Sequence, residues 1–411
     1  MNEISNARPF TQPQWLAGVR ILDFTRLLPG PYATQLMADL GAEIIKVEDK
    51  GTGDTMRYYP PYFEGDNPKD RLSAYFVCVN QGKKSITLDL KNAADQQAFL
   101  SLCNEADVVV ESFRPGVMTR MNIDYDAVKA IKPDIIYVSL TGYGQFGPYR
   151  DLPGHDMNYV GLMGNLSLNG KKEDTPVNPG VQAADLGGAL FVVMSIIGAL
   201  YHRTKTGEGT YIDVAMSDVA FTLARQFIAE SLAAGTATTR GEGPLLGEYP
   251  WYSVYKCKDG RFFALGLIED KFWFIFCNSP EIGLADYAKT QFEKGPARDQ
   301  LFEKVRNIMA TKTAEEWFGL FKAWDIPGTP VQNVLEATRD PNVQARDLLR
   351  FATHRSTKDV PVFPFPIKIA PSQRALYTYE PGTPIQSERA TSAYFSKLGE
   401  HNSEFQVKKK R

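Results

Sequence analysis

Val19-Arg20-Ile21-Leu22-Asp23-Phe24, then Thr25-Arg26-Leu27-Leu28-Pro29-Gly30-Pro31, then Tyr32 to Leu40, is the stretch that decides the fold. The first run is apolar at most positions and reads as a strand. Pro29-Gly30-Pro31 breaks it, and a proline without an amide proton is tolerated in the first turn of a helix, where Pro31 falls. Gly41 ends that helix, and Glu43 to Glu48 reads as a second strand. Two strands joined through a helix in so short a stretch pair in parallel, because only a crossover returns the chain in the same direction.

Working outward, Ser85 to Leu90, Val108 to Glu111 and Ile135 to Leu140 repeat the strand pattern, with a helix from Ala93 to Cys103 between the first two. This alternation predicts a doubly wound α/β sheet with its binding crevice at the carboxyl ends of the strands. The turn Thr25 to Pro31 carries neither G-x-G-x-x-G nor the lysine-bearing phosphate loop, which argues against a nicotinamide or flavin dinucleotide held in the usual way. Asp49 to Asn80 reads mainly as loop. Leu186 to Leu200 is a continuous apolar run, short of the ~20 residues that span a bilayer, and reads as a buried helix with no membrane segment expected. A strand from Tyr211 to Ala215 and a helix from Asp218 to Ala234 follow.

Gly235 to Gly247 is rich in Gly and Thr and reads as a linker. Trp251 to Tyr255, the Lys258-Asp259-Gly260 turn and Phe262 to Leu267 form an expected hairpin opening a smaller α+β domain. Pro361 to Pro366 is expected to lead the tail back. The division is therefore 1–235 for a large α/β domain, 236–350 for the smaller one, and 351–411 for a C-terminal segment returning to the first.

Composition bounds the function. The chain has 411 residues, 46 Lys and Arg against 48 Asp and Glu, and a formal net charge of −2, so it lacks the basic excess of a dedicated nucleic-acid binder. Lys408-Lys409-Lys410-Arg411 reads as a solvated tail. Cys78, Cys103, Cys257 and Cys277 lie far apart, without C-x-x-C spacing for zinc or redox work, and fit a reducing cytoplasm. Met1 to Trp15 is polar and lacks the apolar stretch of a signal peptide.

Three positions can carry chemistry. His155, in Gly154-His155-Asp156-Met157-Asn158-Tyr159, stands at a loop-to-helix junction and has the ring chemistry of a base near neutral pH, or is a surface or capping histidine. Asp156 beside it reads as the cap of the helix that contains Tyr159. Asp185, before Leu186-Gly187-Gly188-Ala189, reads as a helix cap, or as a base or nucleophile that two glycines leave approachable. Glu269, between a strand and Asp270-Lys271-Phe272-Trp273, either starts a helix or orients a histidine. Spacing alone does not join the three.

Leu16-Ala17-Gly18-Val19-Arg20-Ile21-Leu22-Asp23-Phe24, Leu28-Pro29-Gly30-Pro31-Tyr32-Ala33, Ala38-Asp39-Leu40-Gly41-Ala42-Glu43, Lys46-Val47-Glu48, Lys84 to Lys91, Phe113-Arg114-Pro115-Gly116 and Thr141-Gly142-Tyr143-Gly144 occur in this order, with Gly154-His155-Asp156 and Asp185-Leu186-Gly187-Gly188 after them. Together they resemble the family III CoA-transferases, the CaiB/BaiF type, a superfamily that includes the α-methylacyl-CoA racemases. The resemblance implies a Rossmann-like large domain, a smaller domain, an intertwined homodimer, acyl-CoA thioester substrates, and no metal or redox cofactor. It implies CoA contacts at Leu90, Lys91, Phe113, Arg114, Gly116, Arg120 and Tyr159.

Two reactions are implied. In the transferases the aspartate matching Asp185 attacks an acyl-CoA and passes CoA to a carboxylic acid. In the racemases that aspartate exchanges a proton beside the thioester, paired with a histidine matching His155 and a glutamate matching Glu269. All three are present here, which favours racemase-like proton transfer. Against that, Asp49 to Asn80, with Gly53-Asp54-Thr55-Met56-Arg57 and Ala74-Tyr75-Phe76, resembles the longer transferase members. A non-catalytic CoA-binding protein is the third reading.

Overall fold

The computed structural model describes residues 13–369 and 394–405; the expected basic tail, Lys408 to Arg411, and residues 1–12 lie outside them. The chain divides into two compact units, one of Met1–Val160, Gln182–Thr222 and Thr338–Arg411, the other of Gly161–Val181 and Leu223–Ala337.

The first unit is built on six strands: β1 Arg20–Phe24, β2 Glu43–Glu48, β3 Lys84–Thr87, β4 Val108–Glu111, β5 Ile136–Thr141 and β6 Thr210–Ala215. Their spatial order is β3-β2-β1-β4-β5-β6, and every pairing is parallel. The order reverses between β1 and β4, and a doubly wound sheet opens its ligand crevice at such a point, beyond the carboxyl ends. Strand alternation assigns the two faces. Leu22, Phe24, Ile45, Val47 and Val109 pack with Phe99 and Leu102 of helix α2, Ala93–Cys103. Helices α1, Pro29–Asp39, and α4, Ala183–Thr206, pack together, and α1 lies against the opposite face through Thr34 and Asp23. Between them in the chain comes α3, Asp156–Leu162. The doubly wound α/β reading is what the molecule adopts.

Three local expectations change. Helix α4 begins before and ends after the apolar run, giving 24 residues, and by length and composition it is long and apolar enough to cross a bilayer. The expected burial holds for one face only. Ala184, Gly188, Ala189, Val192 and Ile196 are buried, while Leu190, Met194, Ile197 and Tyr201 form an exposed stripe at helical spacing. The single helix expected over Asp218 to Ala234 is two, α5 Met216–Leu223 and α6 Arg225–Ala234, interrupted at Ala224 with ψ near 0. The break falls where the chain passes from the first unit to the second. Asp49 to Asn80 is not bare loop: Tyr62–Phe63 pairs with Leu72–Ser73, and Ala74–Val77 is helical.

The free edge of β3 is closed by Tyr394 to Phe405. His401 Nδ1 accepts from the Ser85 amide at 3.1 Å and Asn402 Oδ1 from the Thr87 amide at 2.8 Å, while the His401 amide donates to the Ser85 carbonyl at 2.9 Å. An unpaired strand edge is thereby satisfied.

The second unit carries the expected hairpin, β7 Val254–Lys256 with β8 Phe262–Leu265, antiparallel, and β9 Gly328–Pro330 on the other side of β8. Its core joins Trp251, Phe263 and Leu265 to Trp273 and Phe276 of α7, Asp270–Asn278, and to Trp317 and Phe321.

Candidate active site

Immediately after β4, at the point where strand order reverses, the chain runs Ser112-Phe113-Arg114-Pro115-Gly116. Glu111, the last residue of β4, is buried and accepts the Phe113 amide proton at 2.7 Å, so a carboxylate pins the start of this loop. Burial pushes the Glu111 carboxyl up to about 7; bonds from Ser139 and the Phe113 amide oppose that, and the charge of Asp213 adds to it. The Phe113 ring lies under the Arg26 guanidinium, 5.6 Å from centroid to carbon. Leu90 and Phe113 are both half-buried against the α2-facing core, with Lys91 exposed beside Leu90.

Gly116 has φ +79°, and a Cβ there would lie 3.3 Å from Arg120 Nη1 and 3.5 Å from Arg150 Nη2. The positive φ favours glycine, and two guanidiniums converge on it. A cavity of about 340 Å³ opens alongside, lined by Glu111, Arg114, Gly116, Ser139, Gln145 and Tyr211 among others. Of the CoA contacts implied by the resemblance, Phe113, Arg114, Gly116 and Arg120 therefore share one loop and the short helical turn after it.

The second part of the site lies at the N-terminus of α4. The helix cap is Gln182, not Asp185; Asp185 is the third helical residue. The first amides of a helix have no partner within it. Here Asp156 Oδ1 takes two of them, from Ala184 at 2.7 Å and Asp185 at 3.1 Å. Asp156 thus caps α4 across the chain rather than its own helix α3, because α4 offers the orphan donors. His155, next to it, is exposed, and its amide donates to Asn158 Oδ1 at 3.0 Å. The turn bearing His155 is in this way fastened to the turn bearing Asp185.

Asp185 is half-buried. Burial, then the nearby Asp156 charge, push its carboxyl up to about 7. Tyr159 closes the arrangement: its hydroxyl donates to the Gly154 carbonyl at 2.6 Å, and its ring meets Tyr143 edge-on at 5.1 Å. A Cβ on Gly154 would come within 2.7 Å of that ring, and one on Gly142 within 2.6 Å of its hydroxyl, so both glycines make room for it. Burial and then the Asp185 charge raise the phenol, while Arg114 lowers it, which places Tyr159 electrically between the phosphate-suited loop and the carboxylate. A half-buried carboxyl poised near neutrality can give or take a proton, and it can also attack an acyl carbon.

Glu269 belongs to the second unit, exposed at the cap position of α7, where its side chain makes no capping bond. Sequence reasoning passed over Arg26, Glu111 and Arg150. Arg26 and Arg150 both sit in turns without a periodic pattern. Glu111 looked like one more strand residue. Among the described residues, no group of three or more His, Cys, Asp and Glu is placed to hold a metal ion.

Comparison with known proteins assigns this architecture. Residues 16–383 match CoA-transferase family III. The chain is 32% identical over 411 residues to the succinate–glutarate CoA-transferase of Agrobacterium fabrum, covering 98% of this chain and 96% of that one. It is 32% identical over 324 residues to the α-methylacyl-CoA racemase of Mus musculus, covering 78% and 79%. The solved structure of a CaiB/BaiF family protein from Brucella suis superposes with a TM-score of 0.80 at 27% identity, covering 96% of this chain and 98% of that chain. The chain belongs to CoA-transferase family III, and it is an enzyme of that family.

Proposed function

We propose that this family III enzyme moves a proton at the carbon next to the thioester of a 2-methylacyl-CoA, through an enolate, and so inverts that centre. The observation that carries this reading is the double hydrogen bond from the first turn of α4 to Asp156, which fastens His155 to the neighbourhood of an Asp185 carboxyl raised to about 7. Inversion needs two acid/base groups, one to remove a proton and one to return it from the opposite face. His155 and Asp185 take those roles, with Glu269 orienting the imidazole. An α-proton with pKa of roughly 20 against a base near 7 leaves on the order of 18 kcal/mol to overcome. Donors to the thioester oxygen must stabilise the enolate.

CoA is substrate here, held through Leu90, Lys91, Phe113, Arg114, Gly116, Arg120 and Tyr159, and the chemistry calls on no metal or redox cofactor. The exposed apolar stripe of α4 supports a homodimer, since a second chain would cover it.

A second reading has its own support: similarity to the Agrobacterium fabrum transferase along 98% of the chain, with an ordered Asp49 to Asn80 segment. There Asp185 attacks the acyl-CoA carbonyl and expels the CoA thiolate, leaving a mixed anhydride. The thiolate returns to the aspartyl carbonyl, releasing the donor acid and forming an aspartyl-CoA thioester. An acceptor carboxylate displaces CoA from it as a second anhydride, and CoA attack on the acceptor's acyl carbon gives the new acyl-CoA and frees Asp185. The deciding experiment incubates enzyme with 2-methylacyl-CoA in heavy water, without acceptor. Deuterium at the α carbon supports proton transfer. No exchange over a broad acyl-CoA panel, with CoA movement to an added acid and a hydroxylamine-trappable adduct on Asp185, replaces it with the transferase. CoA binding without either activity leaves only a binding protein.

A further inference from the structure

We propose that Arg150 is a phosphate-binding residue, which together with Arg120 grips a phosphate of the nucleotide end of CoA over Gly116; this rests on the CoA reading above. Arg150 stands on the turn after β5, where its amide donates to the Gly147 carbonyl at 3.3 Å and Gly147 takes φ +98°. Tyr149 beside it packs edge-on against Tyr143 at 6.0 Å, which ties the turn to the Tyr159 side of the site. From there the Arg150 guanidinium reaches the same glycine as that of Arg120, from a separate part of the chain.

Two like charges do not gather without cause. Among the described residues, the acid paired with this group is Asp151, 3.9 Å from Arg150 Nε and 80% exposed, too distant and too solvated to neutralise it. Arg114, exposed in the preceding loop, lines the cavity beside Gly116; the acids of that cavity, Glu111, Asp124 and Asp126, form no ion pair with Arg120 or Arg150 among the described residues. A dianionic phosphate supplies what is lacking: its oxygens accept forked bonds from two guanidiniums at once. Gly116 leaves the space, since any side chain there would occupy the approach between the two forks.

The test measures CoA binding to the full-length protein by calorimetry, with R150A and R150K beside the unsubstituted chain, and steady-state KM and kcat with the acyl-CoA that turns over. R150A should weaken CoA at least tenfold, raise KM by a similar factor, leave kcat within twofold, and flatten the salt dependence of binding. R150K should recover part of the loss, and thermal midpoints should agree within a degree or two. CoA affinity within twofold of the unsubstituted chain in R150A overturns the proposal. So does a loss that follows a lowered thermal midpoint and is equal in both variants. Failure of the unsubstituted protein to bind CoA would instead strike at the CoA reading, and would remove this inference with it.

Discussion

Two carboxylates of the first unit, Asp23 and Asp185, are both taken out of water, yet they are brought to opposite states. Asp23, in β1, is fully buried, and burial alone would raise its pKa; Lys83 and Lys46 outweigh it and hold the carboxyl far below the usual range. Its oxygens also accept from Thr25 and Thr34, and Lys46 pairs in turn with Asp54 at 3.0 Å. Asp185 has burial without a cation, and a second acid, Asp156, beside it. The lesson is that depth in the protein does not decide what a carboxylate is for. Compensation does: a neutralised one holds a β-strand to its helix, and an uncompensated one is left ready to react.

The largest expected effect breaks this contrast on the reactive side. Asp185→Asn should lower turnover about 10⁴-fold, the upper range for a positioned acid or base, while the fold survives, as circular dichroism and a retained CoA affinity would report. Asp23→Asn should do the reverse. It leaves Lys83 buried against no carboxylate at 3.1 Å, and removing one partner of a buried pair costs about 3–5 kcal/mol, read as a lowered denaturant midpoint.

The pH dependence sharpens the comparison. The depressed pKa of Asp23 contributes stability that is present above the unfolded value near 4 and lost as pH falls below it. The raised pKa of Asp185 works in the other sense: between pH 4 and 7 the native state binds the extra proton, so stability falls as pH rises through that window. Asp39, pushed up to about 6 by burial, and Glu111 act in the same direction as Asp185. Thermal midpoints should therefore be lower at pH 8 than at pH 5.5, and Asp185→Asn should shrink the difference. Activity should rise through pH 7 as the Asp185 base ionises.

Smaller effects follow at the loop. Glu111→Leu should raise KM for acyl-CoA about tenfold by releasing the Phe113 amide, since a lost bond to a charged group is worth about 1.5–3 kcal/mol; Glu111→Gln, which still accepts, should restore most of it. Tyr159→Phe removes one hydrogen bond, about 1 kcal/mol, and should change turnover only a fewfold.

Much of the frame was readable in advance. The strands Glu43–Glu48 and Val108–Glu111 and the helix Ala93–Cys103 fall where local pattern puts them, because the apolar runs and the polar residues that interrupt them are written in neighbouring residues. What could not be read depends on partners far along the chain. Asp156 looks like a cap for its own helix until α4 presents two unfilled amides 28 and 29 residues away. Arg150 carries no periodic signal; only the folded turn after β5 brings it to Gly116. The exposed stripe of α4 is spelled in the same letters as a buried core, and apolarity alone does not say which surface covers it.

The segment that closes β3 has a consequence for the order in which the protein is made. His401 meets Ser85 from 316 residues downstream, and at ribosomal speeds of about 5–20 residues per second the strand waits roughly 16 to 60 s for its cover. Throughout that interval a nascent chain carries an open template for strand addition.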